Sequence, residues 1–491
     1  MITPSTIVST VRQGRKVLLC IPPPGDTLKG SAVGGLLKTA TSLIPQGICH
    51  LASACRQAGY ETRILDCQAL EMSLEEAVNA VCLFNPDFVG ISATTLSIIH
   101  ASQFAREIKK RIPTVRIVVG GYHVSALPEE TLKEFQSFDA GVVGEGERTL
   151  VELLDAWMAS RALSGIAGLV FREETGIRVT PRRALIKDLD SLGLPAWDLL
   201  PRLSRHYGSS AQRYRVFPVA SVITSRGCPH QCTFCDRSVF GTTFRGHSAE
   251  YVMAMIRTLR DEHGIRSIVF NDDLFIANKT RLTQICEAMI HENLRMSWSC
   301  DGRIDRLDDD LLKLMKRAGC WQLAVGIESG DDAILSRLNK GFTVEQARQA
   351  VVRMKGAGMS VKGFFVMGTP GETEQSLEQT VQLIKRLPLD EIQITLFTPF
   401  PGTDLFRAVV SQEGFTPRWD EMNTASVSYV PKGLTKGRLL HYQRQGYLQF
   451  YFRPRQVLYQ LGKLKRPRFA VKMLREAFCF LQYALRRQTT Q

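Results

Sequence analysis

The stretch Cys228-Pro-His-Gln-Cys232-Thr-Phe-Cys235 places three thiols within eight residues, directly after an apolar run, 219–224, that predicts a buried strand. In a chain of 491 residues with 12 cysteines, this spacing arises by chance in roughly 1 % of cases. Thiolates are soft ligands that suit iron–sulfur clusters and zinc. Clusters usually take four cysteines, so a trio leaves one iron open to a small molecule. The stretch therefore predicts a three-thiolate iron–sulfur cluster at a strand end.

Two alternatives exist for these thiols. One is a zinc site with His230 or a distant cysteine as the fourth ligand, and the other is a set of unligated core cysteines. His230 lies inside the loop, two residues from both Cys228 and Cys232, whereas zinc ligand pairs are usually separated more widely. The spacing favours the iron–sulfur cluster over both alternatives.

Residues 216–430 predict an open barrel around this loop. Short apolar runs alternate with amphipathic helical patterns, which is typical of parallel strands joined by helices. Six strand–helix repeats are too few for a closed eight-strand barrel, so we expect a partial (β/α)6 TIM-like barrel with its chemistry at the strand C-termini. The predicted strands are 219–224, 267–271, 297–300, 322–327, 361–367 and 392–397.

Residues 1–150 predict a second α/β unit, a Rossmann-like parallel sheet of the flavodoxin type. Such sheets bind ligands at the carboxyl ends of their strands, where Gly-rich loops fall in this sequence. Residues 151–215 predict a connector with a hairpin around Thr175-Gly176, and 431–491 predict a basic helical region. The strands predicted in the first unit are Lys16–Ile21, 62–65, Phe88–Ser92, 116–119 and 141–143.

The positive charge of the chain is concentrated at its C-terminus. The net charge is +14, yet residues 431–491 carry fourteen Lys or Arg against one acid, Glu476, which leaves the rest near neutral. A near-neutral body argues against nucleic-acid binding. The helical patterns at 456–464 and 469–487 allow two interpretations. They form a cap whose apolar residues pack on the barrel, or they contact a membrane surface with anionic lipid.

Other features of the sequence indicate the compartment. No apolar run reaches the roughly 20 residues that cross a bilayer, and the N-terminus lacks the apolar core of a secretory signal. The 12 cysteines of a long chain then suggest a reducing cytoplasm, where cysteine clusters indicate metal or redox chemistry.

At the cysteine loop the chain resembles the radical S-adenosylmethionine (radical SAM) superfamily. The resemblance rests on the CxxxCxxC spacing, on the aromatic Phe234 before the last cysteine, and on the position after the first barrel strand. It implies a [4Fe–4S] cluster held by Cys228, Cys232 and Cys235. The open iron would chelate S-adenosylmethionine, whose one-electron reduction gives a 5′-deoxyadenosyl radical that abstracts hydrogen from carbon.

The resemblance also implies residues that contact S-adenosylmethionine. Asn271-Asp272-Asp273 ends the second barrel strand, where the family has a Gly-Gly-Glu-like turn for the methionyl amine, so this turn departs from the pattern. Arg303 would pair with the cofactor carboxylate, and Glu328 with its ribose or amine. The alternatives are a helix N-cap for the Asn-Asp-Asp turn and for Glu328, and a surface ion pair of Arg303 with Asp305 or Asp308.

Next to such a barrel, the N-terminal unit resembles the cobalamin-binding domain of B12-dependent radical SAM enzymes. The usual Asp-x-His-x-x-Gly signature is absent, which implies base-off binding without a protein histidine; a vestigial domain and another bound nucleotide are the alternatives. The implied cobalamin contacts follow three strands and are Ser92, Thr94 and Thr95, then Gly120, Gly121 and His123, and then Gly144, Glu145 and Gly146.

Together these features predict a radical methyltransferase acting on an unactivated carbon. Radical cyclisation or hydroxylation without methyl transfer, as in the anaerobic magnesium-protoporphyrin monomethyl ester cyclase that the chain also resembles, is the alternative, and a non-catalytic Fe–S or B12 sensor is another. We expect an electron donor such as flavodoxin or ferredoxin and a small-molecule substrate, with the tail hinting at an apolar lipid or tetrapyrrole. The expected location is cytoplasmic, with peripheral contact at the inner membrane surface.

Overall fold

The computed structural model describes residues 14–24, 43–208, 213–424 and 426–463. Its first sheet is built from strands that lie between 16 and 179, and the helices α1 to α6 of this unit pack on it. The strands are β1 Lys16–Ile21, β2 Glu61–Asp66, β3 Phe88–Ser92, β4 Arg116–Gly120, β5 Ala140–Val142, β6 Leu169–Glu173 and β7 Gly176–Val179. The helices are α1 Gln46–Gln57, α2 Leu74–Phe84, α3 Ile98–Arg111, α4 Tyr122–Ala126, α5 Pro128–Glu134 and α6 Glu147–Met158, followed in the connector by α7 Leu203–His206.

The strand order of this sheet is β2-β1-β3-β4-β5-β6-β7, and β1 to β5 are mutually parallel. The order 2-1-3-4-5 is that of flavodoxin-like folds, so the predicted fold class is confirmed. The predicted hairpin forms as β6 and β7, and β6 pairs antiparallel with β5. The hairpin therefore extends the first sheet rather than standing apart between two sheets.

The second large sheet is an open, wholly parallel half-barrel with the order β15-β14-β13-β12-β11-β8. This confirms the predicted partial barrel. Its strands are β8 Val219–Val222, β11 Ser267–Phe270, β12 Ser297–Gly302, β13 Cys320–Glu328, β14 Ser360–Met367 and β15 Glu391–Leu396, and β9 Ser225–Arg226 and β10 Arg245–Gly246 form a separate ribbon. The helices are α8 Ala249–Asp261, α9 Lys279–His291, α10 Asp309–Arg317, α11 Asp332–Arg337, α12 Val344–Gly356, α13 Glu374–Arg386 and α14 Asp404–Glu413.

Two C-terminal helices follow the barrel, α15 Lys436–Tyr451 and α16 Pro454–Lys463. α15 packs against α13 and the edge strand β15, and α16 corresponds to the predicted helix 456–464. The predicted helix 469–487 lies outside the described residues. Among the helices that are described, none has the length and apolar character needed to cross a bilayer.

At each edge of the half-barrel, side chains make backbone hydrogen bonds of the kind that a neighbouring strand would make. At β15, the Tyr447 hydroxyl accepts the N–H of Ile394 at 2.9 Å, and Gln443 Nε2 donates to its carbonyl at 3.0 Å. Beyond the end of β8, Gln46 at the start of α1 bonds to both the N–H and the carbonyl of Ile223 at 2.7 Å. Since Gln46 belongs to the first unit, the two sheets are joined at this edge.

Candidate active site

The cysteine loop follows β8 and β9 at the rim formed by the C-terminal ends of the barrel strands. Cys232, at its centre, is 6 % exposed. A distant segment holds the loop backbone: Thr233 donates its N–H to the Leu338 carbonyl at 3.2 Å, and Asn339 Nδ2 donates to the Gln231 carbonyl at 2.8 Å. The thiols are thus presented from a loop whose path is fixed by the rest of the rim.

The charges around the loop favour the thiolate at Cys232, whereas burial raises the pKa of Cys228 and the hydrogen bond to Cys232 raises the pKa of Cys235. A hydrogen bond from Cys235 lowers the pKa of Cys232 to about 6, and the charges of Lys340 and Arg303 act in the same direction. Arg303 Nη1 also donates to Cys232 Sγ at 3.5 Å. Because the thiolate is the form that binds metals, two cations beside three thiols fit a negatively charged iron–sulfur cluster.

The donor set suits an iron–sulfur cluster, because Cys228, Cys232 and Cys235 are soft ligands carried on one loop. In the parts of the chain that the structure describes, no three His, Cys, Asp or Glu side chains are grouped closely enough to hold one metal ion. The cluster stays a prediction from the chemistry of the donors.

The turn Asn271-Asp272-Asp273 braces the backbone that leads into the cysteine loop. Asp272 Oδ1 accepts from the Thr224 N–H at 2.9 Å and from Ser225 Oγ at 2.5 Å, and Asp273 Oδ2 accepts from the Gly227 N–H at 2.9 Å. Burial raises the pKa of Asp272 to about 6. Protein donors therefore engage Asp272 Oδ1 and Asp273 Oδ2, whereas Asp272 Oδ2 is buried without a hydrogen-bond partner among the described residues. The contact predicted with S-adenosylmethionine stays a prediction for this turn.

The two helix-cap alternatives are wrong. α9 is capped by Asn278 and not by the 271–273 turn, and α11 is capped by Asp331 and not by Glu328. The ion-pair alternative is confirmed in its partner, since Arg303 pairs with Asp305 at 3.0 Å, although Arg303 is only 8 % exposed. Arg303 and Glu328 are enclosed at the barrel rim.

A buried ion pair stands beside the cysteine loop. Lys340 Nζ lies 3.0 Å from Glu328 Oε1, and both residues are at most 6 % exposed. Gly326 leaves the space for this pair, because a Cβ at that position would collide with the Glu328 carboxylate. The Phe234 ring lies 5.6 Å from Lys340 Nζ. Sequence reasoning missed Lys340, which sits in a turn after α11 with no local motif to mark it.

Across the rim, the loops of the first sheet carry the predicted cobalamin contacts. Gly121 has φ of 108°, and a Cβ there would lie 2.5 Å from the Ala93 carbonyl oxygen, so the turn after β4 requires glycine against the loop after β3. Gly144, after β5, has φ of 84° and faces Val239, which follows the cysteine loop. Ser92, Gly120, Gly121, Gly144 and Gly146 are half-buried, Thr94 is exposed and Thr95 is buried.

His123 is a hydrogen-bonding residue of its turn. It is 1 % exposed, its Nδ1 bonds to Thr95 Oγ1 at 3.1 Å, and its ring meets the Trp419 ring edge-on at 4.9 Å between centroids. Burial lowers its pKa to about 4, which keeps the imidazole neutral. The enclosed ring fits the expectation that no protein histidine ligates cobalt.

Glu145 and Glu147 connect the two units through buried ion pairs. Glu145 Oε1 lies 2.8 Å from Nη1 of both Arg226 and Arg245, and Glu147 Oε1 lies 2.5 Å from Arg226 Nη2. Glu145 Oε2 accepts the Ile186 N–H at 2.8 Å. Protein donors therefore occupy the Glu145 carboxylate, and a cobalamin contact at this residue would involve its backbone. We name the four charged residues, Glu145, Glu147, Arg226 and Arg245, the interdomain clamp.

The residues predicted to hold the cluster and the residues predicted to contact cobalamin meet in the space between the barrel rim and the first sheet. Tyr122, which follows the Gly120-Gly121 turn, is 42% exposed. Partial desolvation raises its pKa, and the nearby Asp273 and Asp236 of the rim add to this rise. Arg182 bridges the units, since its guanidinium donates to the Ser238 carbonyl at 2.7 Å and to the Ser125 carbonyl at 2.9 Å. The loops predicted to hold cobalamin thus face the loop predicted to hold the cluster.

Two family models match separate parts of the chain. Residues 222–384 match the Radical SAM superfamily, and residues 33–154 match the B12 binding domain. An uncharacterized methyltransferase of Pyrococcus horikoshii is 36% identical over 444 residues, which cover 90% of this chain and 93% of that protein. The anaerobic magnesium-protoporphyrin IX monomethyl ester cyclase of Cereibacter sphaeroides is 28% identical over 428 residues, covering 85% of this chain and 69% of that one.

Solved structures share the fold at low sequence identity. The cobalamin-dependent S-adenosylmethionine radical enzyme OxsB, with aqua-cobalamin bound, superposes with a TM-score of 0.72 at 17% identity, covering 96% of this chain and 72% of that one. The radical S-adenosylmethionine methyltransferase TsrM from Kitasatospora setae gives a TM-score of 0.66 at 19% identity, covering 82% of this chain and 77% of that one. At these sequence identities, the two similarities show a shared fold and no more.

Proposed function

Because the chain belongs to the radical S-adenosylmethionine superfamily, among the members that carry a B12-binding domain, we propose that it transfers a methyl group to an unactivated carbon of a small-molecule substrate. The observation that carries this proposal is the position of the cysteine loop, which faces the Gly-rich loops of the first sheet across one rim. Relatives named methyltransferases support methyl transfer over other radical reactions.

The residues at the rim divide into those that hold the cluster and those that bind S-adenosylmethionine. Cys228, Cys232 and Cys235 would hold the [4Fe–4S] cluster. When bound, the cluster, S-adenosylmethionine and cobalamin supply a carbon-centred radical and a transferable methyl group. Arg303 and Lys340 offer positive charge to the cofactor carboxylate, and Glu328 offers an acceptor to its amine or ribose. Phe234, Asn271, Asp272 and Asp273 shape the same rim.

On the opposite side, the first sheet would hold cobalamin without a histidine ligand. Ser92, Thr94 and Thr95 offer hydroxyls, while Gly120, Gly121, Gly144 and Gly146 let the backbone approach the ligand closely. His123 stabilises the turn through Thr95, and Glu145 stabilises the interdomain clamp.

Oxidative cyclisation or hydroxylation without methyl transfer is the second candidate. The observation that favours it is the similarity to magnesium-protoporphyrin IX monomethyl ester cyclases of several organisms. Formation of S-adenosylhomocysteine separates the two reactions, since only methyl transfer consumes a methyl group.

The proposal also includes a reductant, a cellular compartment and a class of substrate. Radical SAM enzymes need a reductant, and we take it to be a flavodoxin or ferredoxin. Twelve cysteines with a cluster among them suit the reducing cytoplasm. The basic C-terminal region suits peripheral contact with the inner membrane surface and an apolar substrate such as a lipid or tetrapyrrole.

Anaerobic turnover tests the proposal. The full chain, reconstituted with iron, sulfide and cobalamin, is given S-adenosylmethionine and dithionite, and the nucleoside products are quantified. We expect 5′-deoxyadenosine together with S-adenosylhomocysteine from the wild type, and neither product from Cys232→Ala. Cys286→Ala, at a buried cysteine of α9 far from the loop in sequence, is the matched control and should retain both products. A fully loaded wild type that releases neither product would contradict the proposal.

A further inference from the structure

The helix α16 packs its glutamines and exposes its aliphatic side chains. Gln456 is 3 % exposed and donates to the Asp390 carbonyl at 2.6 Å. Val457, Leu458 and Leu461 are 41%, 70% and 54% exposed. A helix on the surface of a globular domain normally turns its aliphatic stripe toward the core. In α16 this arrangement is reversed, and the aliphatic stripe faces away from the described residues.

The stripe continues onto the preceding turn and lies beside basic residues. Phe452 is 62% exposed, and we name Phe452, Val457, Leu458 and Leu461 together the α16 stripe. Arg455, on the first turn of the helix, is exposed as well. The surface therefore combines aliphatic and aromatic groups with positive charge, which is the composition of helices that lie in a membrane interface.

The charge of the whole chain identifies the kind of partner. Residues 431–491 carry fourteen of the basic residues and one acid, whereas the remainder is near neutral. A second copy of the chain would bring an equally basic surface against the stripe, and like charges disfavour that contact. An anionic surface is the complementary partner.

We propose that α16 lies in the headgroup region of a bilayer that contains anionic phospholipid, with the α16 stripe at the acyl boundary and Arg455 against phosphate groups. The inference deepens the peripheral contact of the proposed function by naming its surface and lipid class, and it does not depend on the radical chemistry. A barrel held in this way would take up its substrate next to the bilayer.

Vesicle sedimentation of the reconstituted full chain tests the proposal. The vesicles are either an equal mixture of phosphatidylglycerol and phosphatidylcholine or phosphatidylcholine alone. We expect the wild type to sediment with the anionic vesicles and to stay in solution with the neutral ones. The double variant L458S/L461S should bind at least tenfold more weakly, and Arg455→Gln about fivefold more weakly, because each basic group near an anionic surface contributes about that factor.

Leu83→Ser is the matched control, since Leu83 is 90% exposed but lies on α2 in the first unit. It should bind like the wild type. The unfolding temperature, the absorbance of the cluster and 5′-deoxyadenosine formation should be unchanged in L458S/L461S, which separates this inference from the proposed chemistry. The proposal is overturned if the wild type does not sediment or if L458S/L461S binds normally. It also fails if L458S/L461S instead unfolds earlier or dissolves a dimer, since residues 464–491 or a second copy would then cover the stripe.

Discussion

Glu372 is a carboxylate at the end of β14 that is 1 % exposed, and its Oε2 accepts from the N–H groups of Gly368 and Thr369. Burial raises its pKa from 4.5 to about 7. Between these two pH values the folded chain keeps a proton that the unfolded chain releases. The protein is therefore progressively destabilised as the pH rises through this window, and the loss is complete above pH 7.

Substituting Glu372 by Gln should remove this pH dependence. Gln keeps an acceptor for Gly368 and Thr369 but has no charge to desolvate. We expect Glu372→Gln to be more stable than the wild type by up to about 3 kcal/mol above pH 7, and the gain should shrink toward zero as the pH approaches 5. Denaturant unfolding at several pH values measures this. Glu374→Gln, at an exposed ion pair with Arg438, is the control and should show no such window. Equal stability of wild type and Glu372→Gln at pH 8 would show that the carboxylate is not desolvated.

The sequence predicts those site residues whose role is marked by their spacing within one short stretch. The CxxxCxxC trio is local, and the cluster loop follows from it. Lys340 reaches the same loop from a distant turn, and its pairing with Glu328 depends on the left-handed backbone at Glu328, with φ of 68°. The sequence predicts a cobalamin contact at Glu145, because this residue lies in a Gly-rich loop like those of the B12-binding domain. Its partners, Arg226 and Arg245, lie on the other unit and are not visible in the loop itself.

At the scale of elements, the edge strand β15 depends on α15 for its outer hydrogen bonds. Tyr447 and Gln443 form hydrogen bonds with the backbone of Ile394, in the place that a seventh strand would take. An uncovered edge strand presents unpaired N–H and carbonyl groups, which favour aggregation. α15 is therefore a structural cap on this edge of the half-barrel.

Removing the Tyr447 hydroxyl should expose this dependence. Tyr447→Phe leaves the Ile394 N–H without its acceptor, which costs about 1–3 kcal/mol for a buried donor. Tyr442→Phe is the control on the same helix, because the Tyr442 hydroxyl bonds to the exposed Arg438 side chain. We expect a lower unfolding temperature for Tyr447→Phe alone. Identical unfolding temperatures for both variants would show that water or another group satisfies Ile394.

The strands and helices were largely predictable, whereas their exposed faces were not. Apolar runs bounded by Gly or Pro locate β1, β3 and β14 within a residue or two. The aliphatic pattern of α16 equally predicts a helix, but the pattern cannot say which face meets the barrel. Gln456 is buried because its amide reaches the Asp390 carbonyl, a contact between distant parts of the chain.

At the scale of the whole molecule, the interdomain clamp fixes the first sheet relative to the cysteine loop. Arg226 lies two residues before Cys228, and Glu145 and Glu147 hold it from the other unit. All four charges of the clamp are buried. Breaking such a network on one side leaves an uncompensated charge in the interior.

Glu147→Gln should therefore weaken the joint between the units. We expect a loss of about 3 kcal/mol in stability and less iron bound per chain after reconstitution, because the loop that carries Cys228 loses its anchor. Glu152→Gln, at an exposed ion pair with Arg183 on the same helix, should change stability by less than about 1 kcal/mol. Thermal unfolding and iron analysis of both variants check this. Equal iron content in Glu147→Gln and the wild type would limit the clamp to a structural role.

Three thiols would leave one iron of the cluster open to S-adenosylmethionine. Electron–nuclear double resonance on the dithionite-reduced full chain, using S-adenosylmethionine with ¹⁵N in its amino group, tests this. We expect the cofactor to change the electron paramagnetic resonance spectrum of the cluster and a ¹⁵N coupling to appear. A reduced cluster whose spectrum is the same with and without the labelled cofactor, and which shows no ¹⁵N coupling, would contradict it.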